Sequence, residues 1–167
     1  MLRFVLLLCV VALVNGQSTP VKQCIANSRP LPINAYIEGC TQTPCNLPQL
    51  QDAVINITFK APENINRMRT LATAYFSGIL AIPYNLHENA ETCNFLTNTN
   101  CPVKKDDTIQ YALKIYIQPI FPVGIETTLE VEINDVDRNS SVACVRVPVR
   151  IVAPVNSGDG DNNVNIA

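Results

Sequence analysis

Thr108-Ile-Gln-Tyr-Ala-Leu-Lys-Ile-Tyr-Ile-Gln118 is the stretch that decides the fold of this chain, because its apolar and polar residues alternate. Successive side chains of an extended chain point to opposite faces, so residues two apart share a face. The apolar face holds Tyr111, Leu113, Ile115 and Ile117. The polar face holds Lys114, Tyr116 and Gln118. The stretch therefore predicts a β-strand that is buried on one side.

The same alternation returns twice further along the chain. Apolar residues alternate with Glu130 and Glu132 over 129–133, and with Arg146, Pro148 and Arg150 over 145–151. Further extended segments are predicted at 35–37, 54–59, 68–76 and 78–83, whereas 17–48 is otherwise irregular and 87–92 is a polar loop. A sheet with one apolar face needs a second layer to cover it. About seven strands with turn signals between them predict an all-β, immunoglobulin-like sandwich of two antiparallel sheets.

The first 16 residues predict a secretory signal peptide. An early basic residue, an apolar run over 4–14 and the small Gly16 are typical of such a peptide, and the run is too short to span a bilayer. Cleavage after Gly16 would leave one domain over 17–154 and a Gly-, Asp- and Asn-rich tail over 155–167, which is predicted to be disordered. The expected location is extracellular, with uptake into lysosomes as an alternative destination.

The composition argues against nucleic acid as a partner. The chain has 12 basic and 14 acidic residues and a net charge of −2, and loss of Arg3 with the signal peptide makes this −3. Nucleic-acid binding needs a basic patch, and no basic cluster exceeds Lys104-Lys105. A nucleic-acid partner is therefore not expected.

Six of the seven cysteines lie outside the predicted signal peptide. An even number in a secreted chain predicts three disulfides, and six cysteines allow 15 pairings. Spacing favours two local disulfides, Cys40–Cys45 and Cys93–Cys101. The remaining pair would be Cys24–Cys144.

No metal or other cofactor is predicted. Zinc is a poor alternative to disulfides, because the chain has a single histidine. The run that begins with Asp135 and Asp137 lacks the glycine and the closing glutamate of a calcium loop, so it is predicted to be a hairpin turn.

Two sequons and the single histidine are the remaining local signals. Asn56 lies in a predicted strand and Asn139 in the loop before the last strand, and both are predicted glycosylation sites, with Asn56 on the solvent face. His87 stands beside Glu88 in a polar loop, and the cysteines are expected to be oxidised and unable to act as nucleophiles. No catalytic residue is predicted, and an enzyme is the weakest function class.

The apolar strand faces favour a ligand cavity as well as a packed core. The chain has no tryptophan, so a sandwich whose sheets splay apart would enclose space that no large side chain fills. An apolar cavity repels water and accepts an apolar guest. The candidate lining residues on these faces are Tyr111, Leu113, Ile115, Ile117, Val131 and Val147.

A series of motifs then points to a known family. The motifs are Cys24, Gly39-Cys-Thr-Gln-Thr-Pro-Cys45, Val54-Ile-Asn-Ile-Thr-Phe59, Gly78-Ile-Leu80 with Pro83, Asn100-Cys-Pro-Val-Lys-Lys-Asp106, Phe121-Pro122 and Cys144-Val-Arg-Val-Pro-Val-Arg-Ile-Val152. In this order, and with six cysteines in register, the chain over about 23–152 resembles the Niemann-Pick type C2 (epididymal secretory protein) family. Members of that family have an ML lipid-recognition domain.

The resemblance implies an immunoglobulin-like sandwich with the three disulfides above and a lipid tunnel between its sheets. By position, Ile117, Phe121 and Pro122 match the family's tunnel lining and entrance. Tyr84 and Leu86 lie where the family has an aromatic gate. Val131 and Val145 lie near the positions where the family has tryptophan, which predicts a wider or reshaped cavity.

The predicted function is that of a secreted, monomeric carrier of sterols, fatty acids or other small hydrophobic molecules such as semiochemicals, with a membrane protein as a potential acceptor. Each buried methylene contributes about 0.8 kcal/mol, so apolar contacts alone can reach micromolar affinity while discriminating weakly between ligands. The alternative is innate-immune recognition of microbial lipids together with a receptor partner. Tighter binding of bacterial lipid than of sterol, followed by association with a receptor ectodomain, would favour that alternative.

Overall fold

The computed structural model describes residues 16–25, 30–78 and 80–155, and these residues form a sandwich of two β-sheets. The strands are β1 (Asn34–Ile37), β2 (Cys45–Pro48), β3 (Asp52–Lys60), β4 (Met68–Phe76), β5 (Leu80–Tyr84), β6 (Thr108–Tyr116), β7 (Glu126–Asp135) and β8 (Ser140–Val152). Two 3₁₀ turns, His87–Ala90 and Thr92–Phe95, lie between β5 and β6, and the first of them lies in the predicted polar loop over 87–92. Most of the predicted signal peptide and of the predicted tail lies outside the described residues.

The all-β sandwich predicted from the alternating pattern is confirmed, and the described residues form eight strands in place of about seven. One sheet has the order β1-β3-β6, and the other has the order β2-β8-β7-β4-β5. Neighbouring strands are antiparallel except that β2 pairs with β8 in parallel, so the prediction of purely antiparallel sheets was wrong at this edge. Strand β2 has only four residues and ends in a proline, which is too short for a periodic pattern to reveal.

The inner faces of the two sheets form one apolar core. Ile55 and Ile57 of β3 lie opposite Leu113 and Tyr111 of β6, and all four are at most 2% exposed. On β7 the inward residues Leu129 and Ile133 are also buried. No helix of the described ranges is long and apolar enough to cross a membrane.

The outer face of β7 is more buried than the alternating pattern predicted. Glu130 and Glu132 were expected to face solvent, but they are only 5% and 9% exposed. β7 is a central strand of its sheet, and side chains from its neighbours cover this face. The Arg146 guanidinium of β8 lies 3.5 Å from a Glu130 carboxylate oxygen and 4.7 Å from the centre of the Tyr75 ring of β4. Charged residues alternating with apolar ones were therefore not a signal of exposure here.

The three disulfides are the two local pairs that spacing favours and the pair that remained, Cys24–Cys144. Cys24–Cys144 joins the N-terminal segment to β8, where Lys22 and Arg146 also exchange two backbone hydrogen bonds of 2.8 Å. The two short loops are closed by Cys40–Cys45 and Cys93–Cys101. The N-terminal segment is thereby tied to β8 of the five-stranded sheet.

The two ends of the sandwich are filled differently. We call the end that holds the start of β4 and the end of β7 the packed end, because its interior contains the large, fully buried side chains Phe59, Met68, Tyr111 and Ile133. The Tyr111 hydroxyl accepts a hydrogen bond from Thr70 at 2.9 Å, and the Thr70 hydroxyl is also bonded to that of Thr92 at 2.7 Å. Burial raises the pKa of Tyr111 to about 12, and its bonds to the two threonine hydroxyls offset part of that rise.

Candidate functional site: an apolar cavity between the sheets

A cavity lies between the two sheets at the end opposite the packed end. Both sheets and the loop after β6 contribute to its wall, which consists of Leu47, Ala74, Phe76, Tyr84, Ile115, Ile117, Phe121, Ile125, Thr127, Leu129, Val149 and Ile151. The free space is about 50 Å³, counted as room for the centre of a water-sized atom. A hydrocarbon guest larger than a few atoms therefore requires the wall to move.

The wall offers no free polar group to a guest. Its only side-chain polar atoms belong to Tyr84 and Thr127. The Tyr84 hydroxyl donates a hydrogen bond to the backbone carbonyl of Tyr116, and the Thr127 hydroxyl donates one to the carbonyl of Tyr75 at 2.8 Å. Because water in a cavity needs polar partners, such a wall favours an apolar occupant.

Tyr84 and Phe121 lie at the mouth of this cavity. Tyr84 ends the edge strand β5, and Phe121 belongs to the loop between β6 and β7. Their ring centroids are 5.9 Å apart, with an angle of 40° between the ring planes. The side-chain amide of Gln49 donates hydrogen bonds to the carbonyls of Pro119 and Phe121, which holds the loop in place.

The surroundings of the mouth are apolar as well. Ile120 and Val123 on the loop are 76% and 55% exposed, and Leu80 and Ile82 on β5 are also exposed. Ile82 pairs with Ala74 of β4, so its side chain points to the inner side of the sheet. It remains exposed because β5 is the outermost strand of the five-stranded sheet.

A polar groove adjoins the cavity along the free edge of β6. It measures about 380 Å³ and is lined by Tyr84, Asn85, Leu86, His87, Glu88, Asn89, Lys114, Ile115, Tyr116 and Gln118. Tyr84 and Ile115 are common to the groove and the cavity. Burial raises the pKa of the Tyr84 hydroxyl above its ordinary value.

The structure brings together four of the sequence-predicted ligand residues. Tyr84, Ile115, Ile117 and Phe121 line the cavity. Leu86 is buried beside the groove, and Pro122 is an exposed residue of the loop.

The other four predicted residues, Tyr111, Leu113, Val131 and Val147, lie in the packed core rather than in the cavity wall. All four are at most 1% exposed, and Val145 is 3% exposed. Neither Val131 nor Val145 is among the residues of the cavity wall.

Several wall residues were missed from the sequence. They are Leu47, Ala74, Phe76, Ile125, Thr127, Leu129, Val149 and Ile151. Strand alternation places Leu129, Val149 and Ile151 on the inner face, but alternation does not tell which end of a strand meets a gap. The small side chain of Ala74 was a weak indication of free space between the sheets, because a small residue on an inner face fills little of that space.

The two sequons lie away from the mouth. Asn56 is half-buried on the outer face of β3, where its amide donates to a Glu38 carboxylate oxygen at 3.3 Å. Asn139 is exposed in the turn between β7 and β8, at the packed end, with a φ of 51°. Arg67 contacts Asp137 in this turn at 2.7 Å and lowers the pKa of that carboxyl group.

The described residues contain no ready metal site. The one cluster of candidate ligands within them is Cys24, Glu130 and Cys144, and its two sulfur atoms are joined in a disulfide. His87 is exposed, and its backbone N–H donates to the side-chain oxygen of Asn85 at 2.9 Å.

Comparison with known proteins is consistent with this geometry. The model of the ML domain family matches residues 18–151. The mouse protein named NPC intracellular cholesterol transporter 2 is 26% identical over 149 residues, which cover 89% of this chain and 95% of that protein. The bovine protein of the same name is 26% identical over 117 residues, covering 70% and 74% respectively. The crystal structure of a Niemann-Pick type C2 protein from Japanese carpenter ant matches with a TM-score of 0.62 and 18% identity, over 71% of this chain and 89% of that one.

Proposed function

Because this chain belongs to the ML domain family, we propose that it binds and carries small hydrophobic molecules in the cavity between its sheets. The observation that carries the proposal is the apolar cavity whose only two hydroxyl groups are already bonded within the protein. Family membership supports a binding protein rather than an enzyme. The related mouse and bovine proteins are named as cholesterol transporters, which supports a lipid as the cargo.

The size of the cavity defines how a ligand enters. With about 50 Å³ of free space, neither a sterol nor a long acyl chain fits without movement of the wall. The movable part is the mouth, where Phe76, Tyr84 and Phe121 are only partly buried. Burial of about ten methylene groups contributes about 8 kcal/mol, which corresponds to micromolar affinity. A cost of opening the mouth would be subtracted from that gain.

The proposed cargo is a sterol, a fatty acid or another small hydrophobic molecule such as a semiochemical. A wall without free donors or acceptors selects by volume and shape, and one methylene changes affinity by only about 1 to 3 kcal/mol. We therefore expect several ligand types to bind. The protein would be secreted and would act as a monomer, with glycans at Asn56 and Asn139 on surfaces away from the mouth.

Native mass spectrometry of protein secreted from eukaryotic cells, followed by displacement of a fluorescent sterol and a fluorescent fatty acid, tests the proposal. Phe121→Asp should weaken binding of the bound probe at least tenfold, because it places a charge in the cavity wall. Ile33→Asp is the matched control, since Ile33 is 63% exposed just before β1. Its binding should equal that of the wild type.

Two results would contradict this function. One is a secreted protein that carries no lipid and binds neither probe. The other is full affinity of the Phe121→Asp variant with a native circular dichroism spectrum. If bacterial lipid bound more tightly than sterol and the complex then associated with a receptor ectodomain, the function would be microbial recognition instead.

A further inference from the structure

We propose that the polar groove beside the cavity binds the oxygen-bearing head group of an amphiphilic ligand, through the outward backbone N–H groups of Lys114 and Tyr116. The apolar chain of the same ligand would occupy the cavity. This inference rests on the proposed function and adds to it the chemical class of the ligand's head.

The direction of the backbone groups on β6 follows from their partners. The Val54 carbonyl accepts a hydrogen bond from Glu38 at 3.0 Å, so Val54 bonds toward β1, and its pair with Lys114 carries no ladder bond. The Lys114 carbonyl accepts from the Asn89 side chain at 3.0 Å, and the Tyr116 carbonyl accepts from the Tyr84 hydroxyl. In an antiparallel strand the N–H and C=O of one residue point to the same side. The N–H groups of Lys114 and Tyr116 therefore point away from β3, toward the groove.

These two donors are available to a ligand. Within the described residues, the carbonyls of Lys114 and Tyr116 have side-chain partners, but no described residue accepts a hydrogen bond from either N–H group. Nearer the start of β6 the same edge is covered. There the Gln110 N–H donates a hydrogen bond to the side-chain oxygen of Asn98 at 2.8 Å, and the Gln110 carbonyl accepts one from the Thr97 N–H at 2.8 Å. At the groove, therefore, the edge of β6 presents two backbone N–H groups that have no acceptor among the described residues.

The groove and the cavity are complementary parts of one site. The cavity wall has no free polar group, so a ligand buried there must keep its polar head elsewhere. Tyr84 and Ile115 form walls of both spaces. Displacement of the Tyr84 side chain would join them, so that a chain in the cavity continues into a head in the groove.

The charges of the groove indicate which heads it favours. Lys114 and Glu88 both line it, so one cation and one anion are balanced and selection by net charge is weak. Backbone N–H groups select instead for oxygen lone pairs. A carboxylate or a hydroxyl can accept from them, whereas an alkane has no acceptor and an alkylammonium has only donors.

Nuclear magnetic resonance on the full secreted chain tests the inference directly. The probes are dodecanoic acid, dodecanol, dodecylamine and dodecane, which share one chain length. The methyl signals of Ile115 and Ile117 report occupation of the cavity, and the amide signals of Lys114 and Tyr116 report the head group. We expect the acid and the alcohol to shift both amides downfield and to slow their hydrogen exchange at least fivefold, while dodecane and dodecylamine move only the methyl signals.

A pair of variants provides an independent measurement. Lys114→Pro removes the N–H group, and proline is tolerated where an edge strand points this group away from the sheet. Lys114→Ala keeps the N–H group and is the reference. Loss of one hydrogen bond should weaken dodecanoic acid binding about fivefold in Lys114→Pro relative to Lys114→Ala, with equal binding of dodecane. If Lys114→Pro does not fold, the amide signals of Lys114 and Tyr116 in the wild-type protein test the head-group site on their own.

The outcomes separate this inference from the proposed function. Methyl shifts without any amide response, or the same amide response to dodecane as to the acid, would overturn the head-group site and leave the carrier function standing. Equal binding of dodecanoic acid by two folded Lys114 variants would do the same. Methyl signals that respond to no probe would remove the carrier function, and the head-group site with it.

Discussion

The aromatic rings of Tyr84 and Phe121 contact each other at a centroid distance of 5.9 Å, and this contact joins edge strand β5 to the loop after β6 across the mouth of the cavity. Neither residue is tied to the other by a strand ladder or a disulfide. The Tyr84 hydroxyl adds one hydrogen bond to the Tyr116 carbonyl of the opposite sheet. If the proposed function holds, a ligand that enters here has to break only these weak contacts, so we expect this pair to control uptake.

Tyr84→Phe should speed ligand uptake while leaving the ring contact in place. The substitution removes the hydrogen bond to Tyr116, and such a bond contributes about 1 kcal/mol. The association rate of a fluorescent fatty acid, measured by stopped flow, should rise about fivefold. Tyr36→Phe is the control, because the Tyr36 hydroxyl accepts from Gly39 far from the mouth. Equal rates for all three proteins would show that this bond does not limit uptake.

Leu129→Ala should enlarge the cavity and change which ligands bind. Leu129 lines the cavity, whereas Leu113 is completely buried in the packed core. Truncation at either site should lower the free energy of unfolding by about 2 to 5 kcal/mol in urea denaturation. Only Leu129→Ala should shift preference from a straight-chain acid toward a sterol in competition experiments. A matching shift in Leu113→Ala would contradict the assigned boundary of the cavity.

The buried Tyr111 should make the fold sensitive to alkaline pH. Its pKa is raised from the model-peptide value of 10.0 to about 12, so between these values the unfolded chain releases this proton and the folded chain retains it. The stability that depends on neutral Tyr111 is therefore complete below pH 10 and lost as pH rises toward 12. The loss amounts to about 2 to 3 kcal/mol.

Urea denaturation at pH 9 and pH 11.5 measures this effect. Tyr111→Phe should be less stable at pH 9, because it loses the hydrogen bond from Thr70. Its further decline up to pH 11.5 should be shallower than that of the wild type. Parallel pH curves for the two proteins would mean that another group causes the alkaline loss.

Removal of the Cys24–Cys144 disulfide should destabilise the protein more than removal of Cys40–Cys45. The first bridge joins residues separated by 120 positions and the second by only 5. The chain-entropy relation gives about 5 kcal/mol for the long loop and about 2 kcal/mol for the short one. Paired Cys→Ala variants compared in urea denaturation check the order. A larger loss from the short bridge would indicate that native packing around the sulfur atoms, rather than loop entropy, dominates.

Local pattern was informative wherever one strand has one buried face. The alternation around Tyr111 and Leu113 predicted which side chains are buried, because strand geometry itself sets the period of two. The pattern failed at Glu130, since the burial of an outer face depends on what the neighbouring strands place there. The Arg146 and Tyr75 side chains that cover it come from distant positions in the sequence.

The sequence by itself determined the two-layer β-fold, the two local disulfides by their spacing and the apolar character of the interior. Only the tertiary structure decided where space remains, because a gap depends on the sum of side-chain volumes from six strands and a loop. Phe59, Met68 and Tyr111 fill one end, while Ala74 and Thr127 help to leave the other end incompletely filled. The donors of Lys114 and Tyr116 likewise became visible only in three dimensions, since a strand's sequence does not show which of its edges lacks a partner.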